Sequence, residues 1–369
     1  MNNSNELLYQ IAIKKIPNVG NVTAKILISY CGGVQNVFKQ SKSKLLKIPG
    51  IGETTASCIA GFKDFQRAED ELIFIEKNNI KPIFYLDKDY PTRLKDIEDA
   101  PLLLFYKGNA NLNASKIVSV IGTRNATEYG KSFTDKLIEE LKPTGALILS
   151  GLAYGIDYQS HKAAIHEGLP TVGVVAHGLD EMYPRDHSNI AKQMIENGGI
   201  LSEYLSKTRA DPANFPTRNR IVAGMCDVLV VVETASRGGS MITVEIANSY
   251  NKDIMALPGR INDKYSQGCN YLIRSNKASM ITKSSDLLAL MNWDIETKNE
   301  KKSKQQILLL DLDEDDSKIV NYIKQKTKIA IDEISFDLGF ENGFLSYKLL
   351  DLEFKGVIRA LPGKVYEIA

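Results

Sequence analysis

The sequence predicts an α/β protein whose central domain is a doubly wound, mostly parallel sheet, with a helical domain before it and a winged-helix domain after it. Apolar strand candidates alternate with helical stretches through residues 81–295. Strands that are apolar on both faces are typical of a parallel sheet covered by helices on both sides. Residues 1–80 and 317–369 carry mainly helical patterns, and 296–316 is a charged segment typical of a linker. We therefore expect a Rossmann-like core with a small domain at each end.

Composition narrows the possible functions. With 369 residues and 43% hydrophobic side chains the chain can bury a sizeable core, but its net charge of +1 gives no global attraction to DNA or membrane. A nucleic-acid site must therefore be a local patch. The four cysteines form no Cys-x-x-Cys pair, so we expect reduced thiols and no metal site. No signal peptide or membrane-spanning run is evident, so we expect a cytoplasmic protein.

The helical domain, residues 1–80, contains two similar turns. Residues 16–20 are Ile-Pro-Asn-Val-Gly, and residues 48–52 are Ile-Pro-Gly-Ile-Gly. The second turn resembles a helix–hairpin–helix motif, whose exposed backbone amides can contact a DNA phosphate without reading the base sequence. Asn18 stands where the second turn has Gly50, which makes the first copy the weaker match. The sequence leaves open whether these turns contact DNA or only connect helices.

The central domain, residues 81–295, contains six apolar strand candidates separated by helical stretches. Ligands on sheets of this kind bind beyond the carboxyl ends of the strands, so functional residues are expected in the loops that follow them. The strand candidates are 117–121, 146–149, 171–176, 200–202, 228–232 and 254–257, and the helical stretches include 131–141, 158–166, 189–196 and 241–250.

The loop after the first strand has the composition of a phosphate-binding loop. It begins Gly122-Thr123-Arg124, and small residues there let the backbone approach a ligand. Arg124 comes directly after the strand-end glycine, where its planar guanidinium suits a phosphate or a stacked base. The alternative is that Arg124 pairs with a nearby carboxylate such as Asp157.

The loop after the second strand repeats this composition. Ser150, Gly151 and Gly155 precede a helix whose N-terminal amides favour an anion. Asp157 is expected to cap that helix, although it could also bond a sugar hydroxyl or orient His161. No serine or cysteine nucleophile is evident beside His161, so we expect it to pack or to form hydrogen bonds, and we assign no catalytic residue.

An aromatic ring and two arginines lie together where a later loop enters a helix. Phe215, Arg218, Asn219 and Arg220 follow the irregular stretch 206–214. A ring can stack on any base, and guanidinium groups can track the phosphate backbone, which is the combination that a single strand requires. The alternative is that Phe215 belongs to the core and that the arginines are ordinary surface residues.

Two further polar loops are predicted at the same edge of the sheet. Gly239 and Ser240 open one helix, while Gln267, Gly268 and Asn270 lie in a later loop. Consecutive glycines before a helix can form an anion-binding nest of amides. The chain contains neither the glycine fingerprint of a dinucleotide site nor that of a nucleoside-triphosphatase loop, so no cofactor and no ATP hydrolysis are expected.

The C-terminal segment, residues 317–369, has the pattern of a winged helix. Helical stretches at 319–324, 331–338 and 344–354 precede an expected hairpin at 357–368. The third helix would be the recognition helix, but it carries Asp351 and Glu353 as well as Lys348, with Lys355 next to its end. A DNA-reading helix should be more basic, so a protein-contact or structural role is favoured.

Taken in order, these motifs resemble the DNA-processing protein A family (DprA, also called Smf) over nearly the whole chain. The matching pieces are Tyr90-Pro91, Pro101-Leu102, Tyr106-Lys107-Gly108, residues 120–124, residues 150–157 with His161, Gly178-Leu179-Asp180, Tyr183-Pro184, Ser202-Glu203, residues 215–224, Gly239-Ser240 with Thr243, and Pro258-Gly259 through Asn270.

The resemblance implies a protein that binds and shields single-stranded DNA and loads the recombinase RecA onto it during natural transformation. It also implies a homodimer formed through the central domain. On this basis Arg124, Phe215, Arg218 and Arg220 would hold the strand, while amides near Gly122, Gly151, Gly239 and Gly268 would bind phosphates. Thr123 stands where the family often has serine, and His177 occupies a usually small position, where it could reshape the floor of the pocket.

The alternative function is enzymatic. Phosphoribohydrolases of the lysine-decarboxylase-like family use a related sheet with a glycine pair before a threonine and a glutamate. Gly238 and Gly239, followed by Thr243 and Glu245, are loosely similar to this pattern, but the spacing is one residue longer and the flanking proline is absent.

Overall fold

The protein is described here by a computed structural model, which covers residues 2–293, 313–326, 328–355, 357–361 and 363–368. The chain forms two compact units, residues 1–295 and 296–369. Most of the predicted linker, 296–316, lies outside the described residues, and Glu314 near its end already begins a helix. The first unit contains both the helical domain and the large sheet.

Short helices form the first part of this unit, and their apolar faces close around Leu27 and Ile59. The rings of Phe38 and Phe65 pack at the side of this cluster with their centroids 5.4 Å apart. Phe105 of the sheet belongs to the same cluster, so the helices are packed onto the sheet. The helices are α1 (Asn2–Ile13), α2 (Asn21–Cys31), α3 (Val34–Val37), α4 (Lys42–Leu45), α5 (Glu53–Ala60) and α6 (Gln66–Lys77).

The two similar turns adopt nearly the same backbone conformation. Asn18 and Gly50 both lie in the left-handed region, with φ of 63° and 80°. Gly20 and Gly52 then cap α2 and α5 with φ of −86° and −85°. Asparagine tolerates the left-handed region better than most side chains do. The first copy is therefore as regular as the second.

A nine-stranded sheet forms the centre of the first unit. Its order is β1-β2-β6-β5-β4-β3-β7-β8-β9, parallel from β6 to β9 and antiparallel at β1 and β2. The chain adds strands on one side of β3 and then returns to add β7 on the other, so the topological switch point lies between β3 and β7. The strands are β1 (Lys81–Phe84), β2 (Leu103–Gly108), β3 (Ile117–Ile121), β4 (Leu147–Ser150), β5 (Thr171–Val175), β6 (Gly198–Ser202), β7 (Val228–Val231), β8 (Asp253–Ala256) and β9 (Ser279–Met280).

Helices cover both faces of this sheet. Ile117 of β3 packs in one cluster with Ile221 and Val244, whereas Val118 packs in another with Leu137, because successive side chains of a strand point to opposite faces. The doubly wound α/β prediction is thus confirmed; β1, β2 and β9 were missed. The helices are α7 (Thr92–Lys95), α8 (Glu128–Leu141), α9 (Ile156–Glu167), α10 (Ser188–Glu196), α11 (Asn214–Met225), α12 (Gly239–Ser249), α13 (Gln267–Arg274) and α14 (Ser284–Leu290).

The second unit has the predicted winged-helix architecture. Three helices pack around Ile323, Ile334 and Leu349, and a three-stranded antiparallel sheet of order β10-β12-β11 adds the wing. Its elements are α15 (Glu314–Lys326), β10 (Lys328–Ala330), α16 (Ile331–Leu338), α17 (Asn342–Phe354), β11 (Ile358–Leu361) and β12 (Val365–Ile368).

The lysines of the expected recognition helix are held by carboxylates of the same unit. Lys348 on α17 pairs with Asp313 and, at 2.9 Å, with Asp316. Lys355 pairs with Asp351 at 2.5 Å and with Asp316 at 3.4 Å. These pairs raise the pKa of both lysines. A charge held in such pairs is less available to a phosphate backbone.

None of the helices in the described part of the chain has the length and apolarity needed to span a bilayer.

Candidate nucleic-acid interface

The loop after β3 presents Arg124 at the carboxyl edge of the sheet. Its neighbour Thr123 donates its backbone N–H to the carbonyl of Glu233 at 2.6 Å, which fixes the loop against β7. Gly155 has φ of 80°, and a side chain there would lie 2.2 Å from the carbonyl oxygen of Thr123. The loops after β3 and β4 can therefore meet only because residue 155 is glycine.

Arg124 lies over an aromatic ring. Its guanidinium carbon is 5.7 Å from the ring centroid of Phe215, at the start of α11. Within the described residues no carboxylate forms an ion pair with Arg124. The alternative pairing with Asp157 is thus not formed, and this exposed charge is free to meet a ligand.

Phe215 also contacts a second guanidinium and a second ring. The guanidinium carbon of Arg218 lies 5.9 Å from its centroid, and the Tyr183 centroid lies 6.0 Å away. With Tyr154 and His177 these residues line a cavity of about 70 Å³. We call Arg124, Tyr154, His177, Tyr183, Phe215 and Arg218 the open half of the carboxyl edge.

Arg218 lies near the Phe215 ring from a buried position and does not reach out to solvent as predicted. It is 5% exposed, and its Nη1 donates to the carbonyl of Val174. Its Nε donates to Oδ1 of Asn219 at 3.1 Å, so that amide positions the arginine. Asp157 lies nearby, and burial raises the pKa of its carboxyl group to about 6, against the opposing charge of Arg218. Arg218 thus places a buried positive charge in the wall of the pocket.

The residues around Asp157 correct one prediction and confirm another. Gly155, not Asp157, caps α9, and the Asp157 carboxylate accepts from the N–H of Ala153 at 3.4 Å. The helix-capping interpretation was therefore wrong. His161 is buried, and its Nε2 and Nδ1 bond the Gly151 carbonyl and Thr171 Oγ1, each at 2.7 Å. Burial lowers its pKa to about 4, so the expected hydrogen-bonding role is confirmed.

Two residues predicted to hold DNA face inward. The hydroxyl of Ser150 is fully buried and donates to the Val120 carbonyl at 2.6 Å. Arg220 is buried on the second turn of α11, where it pairs with Glu203 and donates to the Asp99 carbonyl. The prediction that these two side chains contact a DNA strand is therefore wrong, because both polar groups already form hydrogen bonds or ion pairs inside the protein.

The glycines of the β3 and β4 loops are packed against the protein's own side chains. A Cβ on Gly122 would lie 2.6 Å from Ile156, and one on Gly151 would lie 2.3 Å from Asp157 and 3.0 Å from Arg218. Internal packing therefore requires small residues here. A phosphate contact at these amides stays a prediction.

At the switch point a carboxylate of the chain itself fills the crevice. Glu233 follows β7, is 2% exposed, and accepts from the N–H of Thr127 at 2.9 Å and from its Oγ1 at 2.5 Å. Thr127 is the N-cap of α8, so Glu233 occupies the position where a helix N-terminus would attract an external anion. This part of the edge is plugged by the protein.

The neighbouring loops are likewise engaged with each other. Thr234 accepts at Oγ1 from the Ser240 hydroxyl at 2.8 Å and at its carbonyl from the Gly268 N–H at 2.9 Å. The Asn270 amide bonds both backbone groups of Gly259, at 2.9 and 3.1 Å. The prediction that the Gly268 amide and the Asn270 side chain contact DNA is thus wrong, because both groups are already hydrogen-bonded within the protein. We call Glu233, Thr234, Ser240, Gly268 and Asn270 the closed half of the carboxyl edge.

Two other predicted residues border the closed half but remain accessible. Gly239 has open space around its Cα, and Gln267 is exposed at the start of α13. Contacts of these two residues with a strand stay predictions.

The alternative enzymatic pattern is not assembled. On α12, Thr243 is buried, while Glu245 is largely exposed and pairs with Lys277 at 2.8 Å. The two side chains do not share a pocket with the open half.

The residue types in the sequence did not predict the two tyrosines of the open half, Tyr154 and Tyr183. Tyr154 and Tyr183 are about half exposed, and no local pattern singles out a tyrosine in a loop. His177 lines the cavity, as its unusual position suggested. Its Nδ1 bonds the Gly178 carbonyl at 2.8 Å, its Nε2 accepts from the Tyr183 N–H at 3.2 Å, and burial lowers its pKa. A neutral histidine therefore holds the loop that carries Tyr183.

Paired hairpin turns, a doubly wound sheet and an edge with an arginine over an aromatic ring define the class as an α/β protein with a helical hairpin domain and a candidate nucleic-acid site. The chain belongs to the DNA recombination-mediator protein A family, whose sequence model matches residues 81–292. A helix-hairpin-helix model matches residues 13–71. The resemblance noted from the motifs is confirmed.

Individual relatives agree with this membership. The chain is 40% identical to the DNA processing protein DprA of Streptococcus pneumoniae over 204 residues, which are 55% of this chain and 72% of the relative. The X-ray structure of S. pneumoniae DprA superposes with a TM-score of 0.67 and 32% identity, covering 76% of this chain and 97% of that one. The structure of DNA processing protein A of Helicobacter pylori, which has a unique single-stranded DNA binding mode, superposes with a TM-score of 0.53 and 28% identity. The match covers 58% of this chain and 95% of that one.

Proposed function

We propose that this chain binds single-stranded DNA in the open half, shields it, and passes it to RecA during natural transformation or recombination. The observation that carries the proposal is Arg124, an exposed guanidinium 5.7 Å from the Phe215 ring centroid and held by no ion pair within the described residues. The H. pylori relative, which binds single-stranded DNA, supports the choice of ligand.

The chemistry of the open half suits an unpaired strand. Tyr154 and Tyr183 line the cavity and are about half exposed, and the Phe215 ring lies near the Tyr183 ring and the guanidinium groups of Arg124 and Arg218. A splayed base can stack on such a ring whatever its identity, while Arg124 contacts the adjacent phosphate. Bases in a duplex are stacked on one another and cannot enter. We therefore expect a preference for single strands with little dependence on sequence.

Two substitutions test this site. Arg124→Ala and Phe215→Ala should each lower the affinity for an oligo-dT by about tenfold or more, the order expected for one charged contact or one stack. Fluorescence anisotropy at fixed salt measures the change, and circular dichroism checks the fold. Arg274→Ala is the matched control, since Arg274 lies 5.9 Å from the Tyr271 ring but on another part of the unit. Unchanged affinity in both variants would contradict the site.

The proposed function is binding without chemistry. Incubation with nucleoside monophosphates should release no free base above the uncatalysed background. Stoichiometric release, detected by chromatography, would instead support the phosphoribohydrolase alternative.

We also propose that the chain forms a homodimer through the α/β domain. Exposed apolar side chains in its later elements suit such a contact, among them Ile242, Ile261 and Met280, which are 46%, 82% and 54% exposed. Light scattering should give twice the mass of one chain. Ile261→Glu should shift the protein toward the monomer, and an unchanged mass would exclude a dimer contact at this residue.

Transfer to RecA has a separate readout. RecA should assemble faster on a single strand coated by single-strand-binding protein when this protein is added, as measured by DNA-dependent ATP hydrolysis. Arg124→Ala should remove that stimulation, because the strand is no longer held. Equal rates with and without the wild-type protein would contradict RecA loading.

A further inference from the structure

A second cavity, of about 390 Å³, lies between the helical domain and the segment that follows β6. Both belong to the same compact unit. Lys14, Lys15 and Arg67 of the helical domain line the cavity, and so does Lys207 of the segment after β6. Four cationic residues against one acidic residue, Glu203, give this cavity a net positive lining in a chain whose net charge is only +1.

These charges are only partly neutralised by the protein. Nη2 of Arg67 pairs with Glu71 at 2.8 Å and donates to the Ser206 carbonyl at 2.6 Å, but its Nη1 is buried without a partner. Within the described residues, the ammonium groups of Lys14, Lys15 and Lys207 form no ion pair. Burial lowers the pKa of Lys14, and the charge of Glu203 opposes that shift. An anion in the cavity would satisfy groups that the protein leaves open.

Glu203, which lines the cavity, has a carboxylate oxygen that lacks a hydrogen-bond donor. Glu203 has a side chain that is 6% exposed; one carboxylate oxygen pairs with Arg220, and the other, Oε1, is buried without a partner. A ligand that fits must combine a negative group for the cations with an N–H or O–H group for this oxygen. A nucleotide has both, in its phosphate and in its base.

The segment that presents Lys207 is held in an unfavourable conformation. Lys207 has φ of 63°, a region that a lysine rarely adopts. Glu71 fixes the preceding residue by accepting from the N–H of Ser206 at 2.9 Å and from its hydroxyl at 2.6 Å. Such strain persists only where the surroundings enforce it, and it is common at binding sites.

The second cavity borders the open half. Thr217 lines the second cavity, while Phe215 and Arg218 line the first. All three lie within the four residues 215–218, about one turn of α11, so a strand leaving Phe215 reaches the second cavity after passing this end of the helix.

We propose that the cavity lined by Lys14, Arg67, Glu203 and Lys207 is a second subsite for single-stranded DNA, which binds a nucleotide next to the one held at Phe215. This inference rests on the proposed function and adds the path of the strand. The phosphate lies against the lysines, and an N–H of the base donates to Glu203. The helical domain thereby takes part in binding through its junction with the sheet.

The test uses the full-length protein and an oligo-dT length series. Lys14→Met and Lys207→Asn should each weaken binding of long oligonucleotides by about tenfold, the order expected for a lost charge-assisted contact. Each should also reduce the slope of log affinity against log salt by about 0.7. The shortest oligonucleotides that bind wild type should be unaffected, since they occupy only the open half. Asparagine suits the positive φ at position 207, and Lys39→Met is the control.

The outcomes separate this inference from the proposed function. If Arg124→Ala abolishes binding but Lys14→Met and Lys207→Asn leave the whole series unchanged, the open half stands and the second subsite is overturned. If Arg124→Ala has no effect at any length, the proposed function fails first. If thymidine monophosphate binds in a Lys14-dependent manner while long strands show no Lys14 dependence, the cavity is a separate nucleotide site and the strand path is overturned.

Discussion

The open and closed halves of the carboxyl edge share a sequence signature but differ in what occupies them. Each has small residues between an apolar strand and a helix. In the closed half, Glu233 fills the crevice and Thr234 collects hydrogen bonds from Ser240 and Gly268. In the open half, Arg124 and the aromatic rings surround a cavity. Glycine-rich loops thus indicate where the backbone comes close to something, and only the side chains decide whether that is a ligand.

The closed half lies where a ligand would be expected from topology alone. The chain order reverses between β3 and β7, and such switch points commonly bind ligands. Here Glu233 supplies the anion for the N-terminus of α8. The proposed binding site uses the neighbouring loops instead, where α11 brings Phe215 to the edge.

The largest expected effect is a loss of folding stability when the carboxylate that fills the closed half is removed. Glu233→Ala should lower the free energy of unfolding by about 4 kcal/mol, because two hydrogen bonds to a buried carboxylate are lost. Urea denaturation measures the change. The exposed Glu245→Ala is the control, expected within about 0.5 kcal/mol of wild type. Equal stability of the two variants would contradict the internal role of Glu233.

Asp157 gives the open half a pH-dependent stability. Its folded pKa of about 6 lies above the ordinary 3.8, so its contribution is fully present below pH 3.8 and lost as the pH rises through 6. Asp157→Asn should therefore gain up to about 3 kcal/mol relative to wild type between pH 4 and pH 7. Denaturation across this range measures the difference. A flat profile for Asp157→Asn relative to wild type would contradict the raised pKa.

Exposed tyrosines allow a direct comparison of the halves in binding. Tyr183→Ala should weaken oligo-dT binding by about fivefold, the lower end of the range for one base stack. Tyr129, beside the closed half, is equally exposed, and its hydroxyl bonds the Pro258 carbonyl at 2.8 Å. Tyr129→Ala should bind like wild type. Anisotropy titrations of both variants measure their oligo-dT affinities. Equal losses of affinity would mean that the strand crosses both halves.

The smallest effect is expected at the border of the closed half. Gln267 is exposed and could touch the backbone of a passing strand, so Gln267→Ala should reduce affinity by about twofold at most, less than the roughly tenfold of a charged contact. The same anisotropy assay measures it at fixed salt. A larger loss would move the strand toward α13.

Much of the fold was predictable because its signals are local. The strands β3 to β8 are apolar on both faces, and each was predicted to within two residues at either end. The edge strands were missed because β1 contains Pro82 and β9 has two exposed residues, so neither has the length or pattern of a core strand. The first hairpin turn was undervalued because Asn18 can take the conformation of a glycine.

The site was predictable only in part. The sequence singled out Arg124 and Phe215, which the structure places against each other, because an arginine after a strand-end glycine and a ring at a helix start are unusual at those positions. Arg220 was misplaced because Arg218 and Arg220 lie two positions apart on α11 and so point to different sides of the helix. Sequence spacing shows that the two arginines point to different sides of the helix. It does not show that the carboxylate of Glu203 pairs with Arg220 inside the protein.

Crosslinking tests the central claim most directly. An oligonucleotide carrying 5-iododeoxyuridine can be irradiated in complex with the wild-type protein, and the attached residues identified by mass spectrometry. We expect the crosslinks at Phe215, Tyr183 or Tyr154, the rings of the open half. Crosslinks confined to Tyr129 beside the closed half, or to the winged-helix unit, would contradict binding of the strand in the open half.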